Sequence, residues 1–180
     1  MNDHDLWIFG YGSLMWHPGF AHVEAEIATL HGFGRGFTMR SIHHRGTKAH
    51  PGLVLALSAD EQESCTGLAF RVRPGDEDQT MGELRARELV SYAYQEMRLP
   101  VMLADGREVQ AVTYVIDKGH AQYTGPVPLE AQAQIIAQAH GGRGPNADYL
   151  FSTHAHLVQL GIKDVDIAWL DQRVRALSAA

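Results

Sequence analysis

Near its start the chain reads Leu6-Trp7-Ile8-Phe9-Gly10-Tyr11-Gly12-Ser13-Leu14, a short apolar run followed by a glycine-rich turn. A continuous apolar run of this length is typical of a buried strand, and the glycines mark its end. Glycines in such a turn let backbone N–H groups point toward a carboxylate or a developing oxyanion. Residues Tyr11, Gly12, Ser13 and Leu14 are therefore a candidate binding loop, although a tight turn that binds nothing would carry the same pattern.

The remainder of the chain predicts an α+β protein. Apolar runs with turn signals predict strands at 37–41, 53–57, 66–72, 99–103 and 109–116. Helical spacing predicts helices from about 76–78 to 91 and at 129–140, 146–160 and 164–177, with Asn146 and Asp164 as N-caps. Since no linker or repeat interrupts the pattern, we expect one domain over residues 1–180 with a curved or closed sheet.

Charge and composition disfavour several functional classes. The formal net charge of −6 does not suit binding to phosphate backbones or anionic lipid, which needs clustered Lys and Arg. The single cysteine, Cys65, cannot form an internal disulfide, and the acidic first residues differ from the basic start of a signal peptide. The apolar runs are far shorter than the ~20 residues that span a bilayer. We expect a cytoplasmic protein with a small-molecule substrate, no membrane association and no nucleic-acid partner.

Glu88 is the most informative position for chemistry. On a helical wheel it falls on the apolar side formed by Met81, Leu84 and Leu89, whereas Glu83 and Arg87 are predicted to point away. A carboxylate that faces inward must either be paired or lie in a pocket that raises its pKa, and the second case produces a general base.

The wheel alone leaves a structural alternative for Glu88. Arg85 lies near the same helix face, so the two residues could form an ion pair without any catalytic role. Periodicity does not distinguish these interpretations.

Other catalytic and metal-binding patterns are weak. Ser13 lacks the second glycine of the Gly-x-Ser-x-Gly elbow of serine hydrolases. His154 and His156 are two residues apart on a predicted helix and so face different ways, and the adjacent His43 and His44 diverge similarly. We expect no bound metal. The glycines of 32–36 lack the context of a nucleotide-binding loop and are interpreted as a bend in a strand.

Four ordered segments of this sequence are similar to the motifs of the ChaC family. The segments are Tyr11-Gly12-Ser13-Leu14 with Trp16 close behind, Arg45-Gly46-Thr47 before Pro51-Gly52, Arg87-Glu88 with Tyr94 six residues after the glutamate, and Gly144-Pro145-Asn146-Ala147-Asp148-Tyr149-Leu150. The similarity runs from about residue 6 to 160. Two segments depart from the family pattern: residues 39–47, and Tyr92, where the family usually has glycine four residues after the glutamate.

The resemblance implies a γ-glutamylcyclotransferase-like fold, a mixed β-barrel with surrounding helices. It also implies cleavage of glutathione to 5-oxoproline and cysteinylglycine without a cofactor. In this chemistry the substrate α-amine attacks its own γ-carbonyl, so we expect Glu88 to act as the general base. The loop Tyr11–Leu14 would hold the γ-glutamyl group, Tyr94 and Tyr149 would line the pocket, and Arg45 would bind a substrate carboxylate.

Three alternatives stay open at this point. The chain could be a cyclotransferase for another γ-glutamyl amine or peptide, a serine hydrolase built on Ser13, or a non-catalytic small-molecule-binding module.

Overall fold

The computed structural model describes residues 4–89 and 91–179. Its longer strands are β1 (Trp7–Gly10), β2 (His22–Ser41), β3 (Gly52–Val72), β4 (Tyr94–Leu103) and β5 (Glu108–Ile116). Its helices are α1 (Glu77–Glu88), α2 (Leu129–Gln138), α3 (Asn146–Gln159) and α4 (Val165–Ser178), with a short hairpin of β6 (His140–Gly141) and β7 (Gly144–Pro145) between α2 and α3.

The five longer strands form a closed barrel in the order β1-β3-β2-β4-β5. Strand β1 runs antiparallel to β3, with Trp7 opposite Arg71, and parallel to β5, with Trp7 opposite Ala111. The barrel is therefore mixed. The predicted α+β class with a mixed barrel and surrounding helices is confirmed.

The chain divides into two compact units. The first holds the described residues up to Arg35 together with Leu57–His120, and the second holds Gly36–Ala56 together with the described residues from Ala121 onward. Strands β2 and β3 contribute residues to both units. The expectation of one domain over residues 1–180 stays a prediction.

In the first unit, the end of β1 depends on a close backbone approach. A Cβ atom at Gly67 would lie 2.2 Å from the carbonyl oxygen of Gly10, and a Cβ at Gly10 would lie 3.0 Å from the Cβ of Leu14. Only glycine fits at such distances. The chain consequently turns directly from β1 into the 3₁₀ turn Ser13–Met15, which folds back beside the strand.

In the second unit, a buried amide joins α3 to β3. Asn146 is 0% exposed, its Nδ2 donates to the Leu53 carbonyl at 2.8 Å, and its Oδ1 accepts from the Leu53 N–H at 2.8 Å. The predicted N-cap role of Asn146 is wrong, because Pro145 precedes the helix and the Asn146 side chain is already used by the strand. Asp164 does cap α4, accepting from the N–H of Ile167 at 3.0 Å.

Several predicted boundaries differ from the structure. The strands predicted at 53–57 and 66–72 are parts of one strand, β3, because its exposed middle carries the polar residues that indicated a loop. Strand β2 starts at His22, well before the predicted residue 37, and contains the glycines of 32–36. Helix α1 ends at Glu88 rather than near 91, because the chain turns at Tyr92, whose φ is +58°.

Within the described ranges, no helix combines the length and apolar character that crossing a membrane requires.

Candidate active site

Glu88 is the last residue of α1 and its side chain is only 18% exposed. The same helix buries Met81 and Leu84 in an apolar cluster that also includes Leu14 of the candidate loop. Tyr94 packs against this cluster from β4. The prediction that Glu88 lies on the inward side of its helix is confirmed, and the structure brings this helix, the loop and Tyr94 together in the first unit.

Burial dominates the electrostatics of Glu88. Withdrawal from water raises the pKa of the carboxyl above its ordinary value, and the nearby Arg87 guanidinium opposes that shift only in part. The Arg87 Nε lies 3.4 Å from Glu88 Oε1. A shielded carboxylate with a raised pKa is a stronger proton acceptor than an exposed one once it is ionised.

The ion pair between Glu88 and Arg85 that the sequence allows is not formed. Arg85 forms a two-pronged ion pair with Glu96, with both its Nε and its Nη2 at 2.9 Å from the carboxylate oxygens. Arg85 is exposed and both of these nitrogens donate to Glu96, so it does not neutralise Glu88.

Arg87 is a functional candidate that the sequence reasoning placed wrongly. It was predicted to point away from the apolar side, but its Nη2 donates to Ser13 Oγ at 3.0 Å and its Nη1 donates to the carbonyl of His17 at 2.8 Å. A long, flexible side chain can reach across its helix end regardless of the wheel position of its Cα. Arg87 thus links the loop to the helix end that carries Glu88.

The candidate loop is held by its first residue. The Tyr11 hydroxyl donates to the carbonyl of Tyr114 at 2.8 Å, and the Tyr11 carbonyl accepts from Arg35 Nη1 at 3.1 Å. The same Nη1 also donates to the carbonyl of Thr66 at 2.8 Å. Tyr11 is buried, so these contacts fix the loop to the barrel strands. No pattern in the sequence pointed to Arg35, which lies between two glycines.

Ser13 and Leu14 begin the 3₁₀ turn. The first N–H groups of a helical turn have no partner within the turn. Met15 already donates to the Gly12 carbonyl at 2.9 Å, which closes the turn behind them. In the described part of the chain, neither the Ser13 nor the Leu14 N–H donates to a backbone carbonyl outside this turn.

Ser13 is not arranged as a nucleophile. Its Oγ accepts from a guanidinium, and in the described part of the chain no histidine ring is recorded as its hydrogen-bond partner. A serine nucleophile needs an adjacent base to accept its proton.

Arg45 and Tyr149 come together in the second unit. The Arg45 Cζ lies 5.8 Å from the centre of the Tyr149 ring, and its Nη1 donates to the carbonyls of Arg143 at 2.9 Å and Pro145 at 3.2 Å. The Tyr149 hydroxyl accepts from the N–H of Leu55 at 3.2 Å. One nitrogen of Arg45 is thus used to hold the hairpin before α3.

Three acidic side chains meet elsewhere in the first unit, at Glu24, Glu26 and Asp105. Arg71 Nε lies 3.0 Å from Glu24, and Arg107 pairs with both Glu24 and Asp105. Two arginines thus compensate the charge, and this group is an ion-pair cluster on the described surface. The expectation of no bound metal stays a prediction.

Comparison with known proteins identifies relatives over nearly the whole chain. The model of the ChaC-like protein family matches residues 6–177. A glutathione-specific γ-glutamylcyclotransferase of Escherichia coli K12 is 38% identical over 159 residues, which cover 88% of this chain and 68% of that protein. The γ-glutamylcyclotransferase 2-3 of Arabidopsis thaliana is 34% identical, covering 94% of this chain and 88% of its own.

A similar fold occurs in a solved structure. The crystal structure of a yeast γ-glutamyl cyclotransferase specific to glutathione superimposes with a TM-score of 0.84 at 23% identity, covering 96% of each chain. At that identity the similarity concerns the fold, and it agrees with the barrel described above.

Proposed function

Because the chain belongs to the ChaC-like family, we propose that it is a γ-glutamylcyclotransferase that cleaves glutathione to 5-oxoproline and cysteinylglycine. One structural observation carries the chemistry: Glu88 is a shielded carboxylate of raised pKa at the end of α1, joined through Arg87 to the loop of Ser13.

The reaction needs no nucleophile from the enzyme. The α-amine nitrogen of the substrate attacks the γ-carbonyl carbon and closes a five-membered lactam, and the bond between that carbon and the cysteinyl nitrogen then breaks. At neutral pH the α-amine is mostly protonated, so a base must remove a proton before or during the attack. Glu88 takes that proton and returns it to the departing cysteinyl amine.

The loop Tyr11–Leu14 holds the γ-glutamyl group in the folded conformer that cyclises. Tyr11 and Arg35 fix the loop to the strands, so the N–H groups of Ser13 and Leu14 have a defined direction. Donors fixed in advance stabilise a carbonyl oxygen as it gains negative charge. Tyr94 supplies an aromatic wall beside the same helix.

Arg87 positions Glu88 relative to this loop. Its guanidinium contacts Ser13, His17 and Glu88, so the base and the binding loop keep a common geometry. The ion pair also opposes the rise that burial causes in the pKa of Glu88.

Arg45 and Tyr149 are proposed as substrate-binding residues of the second unit. Arg45 Nη1 donates to the carbonyls of Arg143 and Pro145, just before α3. The Nε and Nη2 groups of Arg45 would then donate to a substrate carboxylate. Tyr149 lies against the same guanidinium.

A cyclotransferase for another γ-glutamyl amine or peptide is the second candidate. It is favoured by Tyr92, an 82% exposed aromatic residue four positions after Glu88, which changes the surface offered to the leaving amine. A serine hydrolase is disfavoured by the occupied Ser13 hydroxyl. A non-catalytic binding module is disfavoured because it would not require a shielded carboxylate of raised pKa.

We also propose that the activity is cytoplasmic, needs no cofactor and involves no nucleic acid. The net charge of −6 and the single cysteine support this proposal.

The decisive experiment incubates the protein with glutathione and with other γ-glutamyl amines and follows 5-oxoproline by mass spectrometry. N-Acetyl-glutathione is the matched control, because its blocked amine cannot cyclise. We expect turnover of glutathione and none of the acetylated compound. Release of cysteinylglycine from both at similar rates would show that water or Ser13 attacks, and Ser13→Ala would then separate those two cases.

A further inference from the structure

A cavity of about 470 Å³ lies within the second unit. It is bounded by Arg40, by the 49–53 segment, by Thr124 and Val127, and by the side of α2 that carries Ile135, Gln138 and Ala139. None of the predicted site residues lines it. Its size falls within the roughly 300–1,000 Å³ of small-molecule sites.

The cavity has a positive charge and no negative one. Its lining contains Arg40 and no Asp or Glu, although the chain as a whole carries a net charge of −6. Within residues 4–89 and 91–179, no carboxylate is paired with Arg40, whereas Arg173 and Arg175 of the same unit pair with Glu130 and Asp171. A half-buried guanidinium without a carboxylate favours an anionic ligand.

Arg40 is held in place by backbone groups. Its Nη1 donates to the carbonyls of Ala121 and Tyr123, each at 3.0 Å, and its own N–H donates to the Gln122 carbonyl at 2.7 Å. These bonds use one nitrogen of the fork and leave Nε and Nη2 as donors. A fixed fork with two remaining nitrogens suits the two oxygens of a carboxylate.

The walls are also ordered by local hydrogen bonds. The Thr47–His50 turn closes with reciprocal bonds, from the Thr47 N–H to the His50 carbonyl and from the His50 N–H to Thr47 Oγ1, both at 3.0 Å. Leu53 is fixed by Asn146, and Gln132 donates to the Val127 carbonyl at 2.8 Å. Hydrogen bonds of the chain itself therefore hold the cavity walls in place.

The rest of the lining is mainly apolar, from Pro51, Leu53, Val127, Ile135 and Ala139. One fixed cationic group beside an apolar wall matches an amphipathic ligand rather than a bare inorganic anion. We infer that this cavity is a second binding site, which takes a small organic carboxylate with an apolar body.

Sodium hexanoate is a suitable probe, titrated into the full-length protein while NMR follows the methyl signals of Val127 and Ile135. We expect a saturable shift of both signals. Hexanamide, which lacks the charge, and acetate, which lacks the apolar body, should each bind at least about tenfold more weakly. The measurement does not depend on turnover, so it is independent of the proposed reaction.

Three variants locate the site. Arg40→Gln should weaken hexanoate binding by at least about tenfold, since it removes the charge. Ala49→Phe should do the same by filling the cavity from an exposed position, and it leaves the bonds of Arg40 intact. Arg143→Gln, an exposed arginine of the same unit, is the matched control and should change the affinity by less than about twofold.

Three results would overturn the inference: the absence of a saturable shift in the wild-type protein, equal binding of hexanoate and hexanamide, or undiminished binding in Ala49→Phe. Because Ala49→Phe does not depend on the folding of Arg40→Gln, the site is tested even if the arginine variant is unstable.

Discussion

Glu88 in the first unit and Asp171 in the second are both shielded carboxylates on helices, and their surroundings differ. Asp171, with a side chain 11% exposed, accepts from Arg175 Nε at 2.6 Å and contacts His154 Nδ1 at 3.0 Å. Burial alone would raise the pKa of Asp171, but these two partners outweigh it and the pKa lies below its ordinary value. Glu88 has one partner at 3.4 Å, and burial raises its pKa.

We propose that this difference separates a structural carboxylate, Asp171, from a catalytic one, Glu88. Asp171 joins α4 to α3 through His154, so its ionised form stabilises the fold. Ionised Glu88 is poorly compensated, which costs stability and leaves a base ready to accept a proton.

Glu88→Gln should lower kcat for glutathione by about 10² to 10⁴, the usual contribution of general acid–base catalysis. The amide keeps the shape of the side chain but accepts protons poorly. Because the carboxylate is not part of a tight ion pair, the melting temperature should stay equal or rise at neutral pH. Initial rates and thermal denaturation of the same sample check both parts.

The opposite pattern in Glu88→Gln, a large fall in melting temperature with retained turnover at low temperature, would make Glu88 structural. Glu83→Gln, an exposed change on the same helix, is the matched control and should affect neither quantity.

Asp171→Asn should destabilise the protein by about 1–3 kcal/mol, since it leaves His154 and Arg175 without their shared anion. That corresponds to a fall in melting temperature of roughly 2–4 °C per kcal/mol for a chain of this size. The kcat of the folded protein should be unchanged. A variant as stable as the wild type would show that the cluster contributes nothing measurable.

The pH dependence should differ in sign between the two carboxylates. The folded-state pKa of Glu88 is raised. Such a group contributes stability at pH values below its unfolded-state pKa, and this contribution is lost as the pH rises through its folded-state pKa. The folded-state pKa of Asp171 is lowered. Such a group contributes stability at pH values above its unfolded-state pKa, and this contribution is lost as the pH falls through its folded-state pKa.

Melting temperatures between acidic and neutral pH test this difference. The stability of Glu88→Gln relative to the wild type should increase as pH rises, whereas the deficit of Asp171→Asn should shrink as pH falls. In the wild type, kcat/KM should decline on the acid side at a pH above the ordinary pKa of a glutamate, because the protonated base is inactive. Parallel pH curves for the two variants would contradict the comparison.

Tyr92→Gly should give the smallest effect, a stabilisation of less than about 1 kcal/mol. Tyr92 has φ of +58°, a conformation that glycine adopts without strain, although the freer unfolded chain of the variant offsets part of the gain. Thermal denaturation measures the change, and Tyr92→Ala is the control because it removes the ring but keeps the Cβ. A loss of stability in the glycine variant would mean that the exposed ring makes a stabilising contact.

Much of the fold could be predicted from local patterns. The apolar run before Gly10, the glycine turn and the spacing of α1 to α4 depend on neighbours in sequence, and these elements lie close to where they were expected. The inward position of Glu88 followed from the same helical period. The long strands β2 and β3 were less accessible, because their solvent-exposed stretches have the polarity of loops.

The electrostatic partners could not be predicted in this way. The sequence allows an ion pair between Arg85 and Glu88, yet Arg85 pairs with Glu96 on β4. Arg87, predicted to point away from the apolar side of its helix, donates to Ser13. Asn146 looked like a helix cap and instead satisfies both backbone groups of Leu53. Each of these contacts joins residues distant in sequence.

The amino-acid sequence by itself determined the fold class and the inward position of Glu88, because side-chain type and helical or strand period are local properties. The tertiary structure alone decided which carboxylate has a lowered pKa, Asp171, and which has a raised one, Glu88. That outcome depends on burial and on whether an arginine fork reaches within hydrogen-bond distance, and both are set by how separate elements pack.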